Sequence, residues 1–249
     1  PREEVRAFGQ IAMATLWGST SVENGLQRVD ALVERAGHAR LMEAFAERVR
    51  GGFTSFTGDF ERGREHCRRA VEIYEELGHP ISALGVTSEL QRIEVQDGRL
   101  DEAERILRRA YSRFEELGDF GYLSWIAPAL ARVVADLGRA DEARELARIC
   151  REELQRDHAF AQTASRLADA TVLLGEERFD EARISLDEAS TLLELTDVTY
   201  LRADALVLLA ELESASASEA TARDLLERAV GLYDSKGDVV SATRARARL

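Results

Sequence analysis

Lysine is all but missing from this 249-residue chain: Lys236 is the one lysine among 33 basic residues. No glycine-rich loop precedes it, so a phosphate-cradling P-loop cannot be built here and any ATPase lies outside this sequence. Set in an SKG turn, Lys236 reads as a solvated last-turn residue favoured by the helix dipole, and not as a Schiff-base lysine. Cysteine is nearly as scarce. Cys67 and Cys150 are too few and too far apart for a disulfide framework or a metal knuckle, which points to a reducing compartment and to small apolar fillers in a core. The histidines His38, His66, His79 and His158 never pair at the i, i+4 spacing of a metal site and read as structural or exposed, so no metal or cofactor is expected.

Long apolar runs are absent as well. The longest, ALVLLA at 205–210, is closed by Glu211 and falls far short of the ~20 residues that span a bilayer, so no membrane partner is expected. With no charged-then-apolar leader and cleavage site, the expected location is cytoplasmic. The opening PREEVRAFGQIAMATLW is already helical in pattern, as in a piece cut from a longer protein. Concentrated positive charge is missing too. The formal net charge is −13, arginines alternate with Glu and Asp, and Arg244, Arg246 and Arg248 form the one short basic cluster, on what reads as a solvated helix face. Direct nucleic-acid binding needs a basic footprint and is not expected.

Proline (three residues) and glycine (17) are outweighed by Ala, Leu, Glu and Arg, which are strong helix formers, so the fold class is all-α. What the chain does carry is a period. Gly63, Ala103, Ala143, Ala182 and Ala222 follow one another at steps of 40, 40, 39 and 40. A repeat of that length in a helical pattern signals a solenoid, which grows by adding units around one continuous core, so a single domain over 1–249 is expected.

One repeat shows the logic. In GRLDEAERILRRAYSRFEELG (98–118), Leu100, Ala103, Ile106, Leu107, Ala110, Phe114 and Leu117 form one apolar stripe at helical spacing. Asp101 and Glu102 suit the first turn and Gly118 a left-handed cap. Gly78 and Gly237 mark further ends, Pro80 suits a first helical position, and Asp119, Asp157, Asp197 and Asp238 stand where a following helix needs an N-cap. In ESASASEAT (213–221) the turn loses its glycine, and Ser216 with Glu219 offers a capping box.

Second helices are predicted at 22–36, 59–77, 99–117, 139–155, 178–195 and 218–236. First helices are predicted at 2–17, 39–57, 80–97, 120–137, 158–175 and 198–214, with a last helix from 239. The corresponding units are 1–37, 38–78, 79–118, 119–157, 158–197 and 198–237, then an end helix over 238–249. Small residues seven apart, Ala103 with Ala110, Ala182 with Ala189 and Ala222 with Ala229, trace the seam where neighbouring helices cross, completed by Gly63 with Ala70 and Ala143 with Cys150.

These residues resemble the tetratricopeptide repeat (TPR), whose second helix carries Gly-x-aromatic/Leu-Asp-Glu-Ala and a second Ala seven residues on. Gly98, Leu100, Asp101, Glu102, Ala103 and Ala110 match it, as do Gly58, Asp59, Phe60 and Ala70, then Gly138, Asp141, Glu142 and Ala143, then Phe179, Asp180, Glu181, Ala182 and Ala189. Leu130–Ala131 and Leu209–Ala210 match the first helix, with Gly51 a partial match. Gln91 and Asp169 depart from it, and a period near 40 instead of 34 lengthens the helices. The resemblance implies a right-handed TPR-like α-solenoid of about six helical hairpins plus a terminal helix. The stretches 17–37 and 114–143 and the ending YDSKGDVVSATRARARL are similar to the C-terminal repeats of large bacterial signalling proteins, in which a nucleotidyl cyclase or LuxR-type DNA-binding domain is attached to a P-loop ATPase. Arginine in place of lysine fits a GC-rich bacterial source.

In TPR arrays the first helices line the concave groove. Carrying that phase across places Phe45, Arg48, Phe56, Ser88, Arg92, Trp125, Arg132, Asp136, Asp204 and Glu211 toward it. Arg92 and Arg132 hold one phase in adjacent units and could hold a carboxylate or phosphate, with Trp125 as aromatic anchor. The competing reading pairs them with Asp136 or Glu89 and packs Trp125 against the next unit. Pro128 removes one backbone bond from a first helix and should bend it. Glu75–Glu76 and Glu115–Glu116 recur at one repeat phase and read as a solvated face, and no nucleophile–base grouping is visible, so the segment is not expected to be an enzyme. The function expected is an interaction or sensor module that binds a protein, a peptide or a small effector in its groove. The alternative is a structural piece that drives self-association.

Overall fold

The computed structural model describes residues 2–37, 39–152 and 159–249, with side chains from residue 7 onward. Among these residues the chain forms α1 (Arg2–Trp17), α2 (Val22–Arg35), α3 (Arg40–Thr57), α4 (Phe60–Glu76), α5 (Pro80–Gly85), α6 (Thr87–Gln96) and α7 (Leu100–Leu117). It continues as α8 (Phe120–Asp136), α9 (Ala140–Glu152), α10 (Ala159–Gly175), α11 (Phe179–Leu193), α12 (Thr199–Ala215), α13 (Glu219–Lys236) and α14 (Val239–Arg246), with no strand. This is a TPR-like α-solenoid, each hairpin a first helix and the antiparallel second helix that follows it. No helix among the described residues is long and apolar enough to cross a membrane.

The helix ends follow from local chemistry. Gly118 (φ 64°) and Gly237 (φ 83°) end α7 and α13 in the left-handed region, where a Cβ would be strained. Asp119 and Asp238 each accept the backbone N–H three residues on and so cap α8 and α14. Asp197 does not cap: Val198 holds that place, and the Asp197 carboxylate turns instead toward Ser19, 3.5 Å away. Asp157, His38 and His158 lie outside the described residues. The 213–221 turn also differs from expectation. Ser216 closes α12 by donating to Leu212 O at 3.0 Å, Ala217 takes the left-handed conformation, and Ser218 stands before α13, so the capping box does not form. The helix predicted at 80–97 is divided at Val86, whose N–H donates to Ala83 O three residues back; just before it, a Cβ on Gly85 would lie 2.7 Å from the Tyr122 ring.

The small-residue seam is closed as the period requires. Ala103, Ala110, Ala143, Ala182, Ala189 and Ala229 are fully buried, as is Cys67, and Cys150 and Ala222 are nearly so. Between α3 and α4 the approach is closer still: a Cβ on Gly51 would sit 2.5 Å from Cys67 Sγ and 3.1 Å from Gly63 O. Glu75, Glu76, Glu115 and Glu116 are exposed. The outer face carries one-turn pairs such as Arg113–Glu116 at 2.7 Å, each worth a few tenths of a kcal/mol.

The apolar residues fall into separate clusters, and the largest joins Leu16, Trp17, Val22, Phe53 and Phe56 of the first units to Leu186, Tyr200, Leu201 and Leu208 of α11–α12. A second cluster is centred on α7–α9 and α8's neighbour α10. The superhelix therefore curls until its two ends meet. Its accessible surface, 11991 Å², is close to the ~11,000 Å² of a compact monomer of this mass.

Candidate functional site

The meeting of the two ends is built from polar atoms that no periodicity marks. Lys236, at the last turn of α13, is not solvated but fully buried. Its ammonium donates to Gly18 O and Thr20 O at 2.7 Å each and reaches Thr15 O at 3.5 Å, tying the last hairpin to the turn after α1. It lies 5.3 Å and 5.8 Å from the Phe53 and Phe56 ring centroids. Burial, and then the neighbouring Arg92 guanidinium, lower its pKa to about 8.

One turn on, the fully buried Asp238 carboxylate accepts from Arg92 Nη2 at 2.9 Å and from Gln96 Nε2 at 3.3 Å while capping α14. Arg244 donates to Gln96 O at 2.6 Å, where the free carbonyls of the α6 C-terminus point. These contacts join residues more than 140 positions apart in sequence. Together they form a clasp.

Behind the clasp lies a cavity of about 350 Å³ on the concave face. One wall is aromatic: Trp125 stacks on Phe160 at 4.1 Å between centroids, Phe160 meets Tyr200 at 6.4 Å, and Trp17 closes against Tyr200 at 5.4 Å. Arg92 is held between two rings, 4.5 Å from the centroid of Tyr200 and 4.7 Å from that of Phe56. The same lining holds a fixed charge triad. Asp204 accepts from Arg132 at 3.0 Å and from the Tyr233 hydroxyl at 2.7 Å. Asp136 has no ion-pair partner among the described residues; loss of solvent against the cavity wall pushes its carboxyl up, opposed by Arg132 and reinforced by Glu211. Burial likewise raises the Tyr200 hydroxyl.

Of the residues predicted for the groove, Ser88, Arg92, Trp125, Arg132, Asp136 and Asp204 line this cavity. Glu211 stands beside it, 3.3 Å from Arg248, which does line it. The remaining three do not reach it. Phe45 packs between Phe8 and Tyr74 and over Gly9, and Phe56 is fully buried beneath Arg92. Arg48 is spent in a buried bidentate pair with Glu89, at 2.8 and 3.1 Å, in which the carboxylate holds the guanidinium charged against the cost of burial. The expected pairings are also exchanged: Glu89 takes Arg48, Arg92 takes Asp238, and Arg132 takes Asp204. Pro128 lies inside α8 at the cavity wall. His66 finds a partner in Glu47, 2.6 Å away on α3.

Sequence reasoning missed Trp17, Gln96, Phe160, Tyr200, Tyr233 and Asp238. A signal existed for two of them, since Phe160 and Tyr200 stand 40 residues apart at one phase of the repeat. Trp17, Gln96 and Asp238 follow from closure of the ends, and Tyr233 from the packing of α13 on α12, neither of which a periodic pattern encodes.

No family model matches the chain, and no curated protein matches its sequence. The fold has solved counterparts. The structure is similar to the crystal structure of NprR in complex with its cognate peptide NprX, with a TM-score of 0.72 and 11% identity over 99% of this chain and 71% of that one. It is also similar to the nearly identical TPR-like repeats of a kinesin light chain from Podosopora anserina, with a TM-score of 0.50 and 21% identity over 75% of this chain and 92% of that one. At these identities the likeness establishes the TPR-like fold.

Proposed function

We propose that this chain is a non-catalytic receptor module that takes a small effector, or the end of a short peptide, into the cavity behind the clasp. We read it as the regulatory part of a larger bacterial signalling protein. The observation that carries this is the cavity itself, where aromatic rings and an Arg–Asp–Tyr triad share one lining drawn from helices between α1 and α14. Ligand pockets of about 300–1,000 Å³ with mostly apolar walls and a few placed polar groups are the common form of small-molecule sites. The cavity's 350 Å³ stands at the lower end of that range, which favours a compact ligand over an extended chain. NprR, crystallised with a peptide, supports a peptidic ligand for a scaffold of this shape.

Thermal-shift screening of a metabolite and di- and tripeptide collection tests the reading, because a ligand bound to the folded state alone raises Tm. The expected result is a set of hits that stabilise the wild type and lose their effect in Trp125→Ala. Hits that act equally on both proteins, or no hits, would contradict it.

Self-association is a second reading, and a specific feature favours it. Leu77 and Ile81 at one inter-unit turn, and Leu117 and Phe120 at the next, are exposed on one rim. Light scattering over a concentration series should show a rising mass if this rim joins copies, and a constant monomer mass if it does not.

A further inference from the structure

The two edges of the superhelix differ. Nine large apolar side chains are exposed among the described residues, and six of them, Leu77, Ile81, Leu117, Phe120, Leu195 and Val239, stand where a second helix gives way to the next first helix. None of the nine stands at the opposite edge, where first helices turn into second ones through residues such as Gly58, Asp59, Gly98, Gly138 and Ser218. Single exposed apolar residues need no explanation, but a row confined to one edge does. Four of the six share one patch. Gly85 of α5 lies against the Tyr122 ring of α8, so the turn carrying Leu77 and Ile81 adjoins the turn carrying Leu117 and Phe120. Phe120 is the most exposed of the four, at 58%.

The charge beside this patch breaks a local rule. Both α4 and α7 run into Glu-Glu-Leu-Gly, which sets Glu75, Glu76, Glu115 and Glu116 in the last helical turn with no basic residue there. A carboxylate at a helix C-terminus meets the negative end of the helix dipole, where a cation is favoured. Arg40 and Arg113 answer only Glu76 and Glu116. Glu75 and Glu115 are exposed and have no ion-pair partner among the described residues, and His79 is the one basic residue within 75–81 and 115–121. An apolar strip bordered by carboxylates that oppose their own helix ends is complementary to a surface that is apolar and basic.

We propose that this rim docks an amphipathic helix of a partner protein, whose apolar face covers Leu77, Ile81, Leu117 and Phe120 and whose Lys or Arg side chains meet Glu75 and Glu115. Helices in contact lie about 8–10 Å apart, close to two turns of a third helix laid across them, so apolar residues at i, i+3, i+4 and i+7 reach both turns. A second copy of the chain fits less well, because rim against rim would set Glu75 and Glu115 against like charges. The same carboxylates oppose an anionic lipid surface. None of these side chains lines the cavity, so docking here is independent of any ligand bound there.

The probe is a fluorescein-labelled fourteen-residue Leu/Lys peptide with leucines at that spacing, followed by fluorescence anisotropy against the full chain. The same peptide with Glu for every Lys is its control. The Leu/Lys peptide should bind, and the Leu/Glu peptide should bind at least about tenfold weaker. Phe120→Ser should weaken the Leu/Lys peptide about tenfold, and Glu75→Gln/Glu115→Gln should weaken it several-fold and flatten its dependence on salt. Ile184→Ser, which removes an exposed apolar residue away from this edge, should leave binding unchanged. The four side chains altered are all exposed, and an unchanged Tm shows that each variant is folded. Equal binding of the two peptides, or a loss in Ile184→Ser as large as in Phe120→Ser, would reduce the contact to adsorption on an acidic chain and overturn the docking site. So would a failure of both peptides to bind. A mass that rises with concentration in the wild type and stays constant in Phe120→Ser would assign the rim to a second copy and overturn it as well.

Discussion

Two regions of this molecule hold together by different physics. In the α7–α9 stretch, fully buried small residues such as Ala103, Ala110 and Ala143 let helices approach, and Leu107, Phe114, Ile126 and Leu130 fill the space between them. Where α1–α3, α6 and α12–α14 converge, the closest contacts are made by buried charged groups: Arg48 on Glu89, Arg92 on Asp238, Lys236 on three carbonyls. The first region repeats and tolerates approximation. The second occurs once and depends on individual donors and acceptors, so single substitutions there should be felt most.

The largest effect is expected from Glu89→Leu, which strands the Arg48 guanidinium in a buried site and should cost about 3–5 kcal/mol in denaturant unfolding. The double variant Arg48→Met/Glu89→Leu, with neither charge present, should recover most of that loss. If the single variant unfolds like the wild type, the pair does not matter to this region. Next, Lys236→Met leaves three carbonyls without their donor and should cost about 3 kcal/mol, on the order of 6–12 °C in Tm.

The lysine also gives the clasp a pH signature. Its folded pKa is lowered to about 8 from 10.5, so below about 8 both folded and unfolded chains are protonated and its contribution is constant. As pH rises through the window from about 8 to 10.5 the folded chain has already lost a proton that the unfolded chain keeps, so stability increases. The wild type should therefore gain on Lys236→Met over that window, measured as a difference between two unfolding series. A flat difference would mean the ammonium is solvated after all.

In the periodic region the effects should be smaller. Ala110→Leu overpacks a fully buried seam position and should cost about 1–3 kcal/mol. Arg113→Ala, which removes one arm of an exposed one-turn pair, should change stability by less than about 0.5 kcal/mol. A seam substitution milder than the surface one would contradict the close-approach account.

What the sequence revealed divides along the same line. The hairpins, their glycine and aspartate ends and the seam were legible because each is set by neighbours within one or two helical turns, or by a residue recurring every 40 positions. Of the ten groove candidates, six, among them Arg92 and Trp125, line one cavity. Phe45, Arg48 and Phe56 lie elsewhere because neighbours that no repeat phase marks cover them: Phe8 and Tyr74 the first, Glu89 the second, Arg92 and Lys236 the third. Burial of Lys236 was hidden for a related reason: a last-turn lysine in an SKG turn looks solvated until another element arrives to cover it. Asp238 was legible as the cap of α14 but not as the partner of Arg92, which closure of the ends selects, and Tyr233 meets Asp204 through the packing of α13 on α12, which spacing does not mark.

Closure of the ends is the claim on which the cavity, the clasp and the ligand reading all rest, and small-angle X-ray scattering of the chain in solution measures it most directly. A closed ring should give a radius of gyration within a few ångström of the ~18 Å of a compact chain of this length. An elongated profile with a radius well beyond that, unchanged in Lys236→Met, would show an open solenoid and contradict the account.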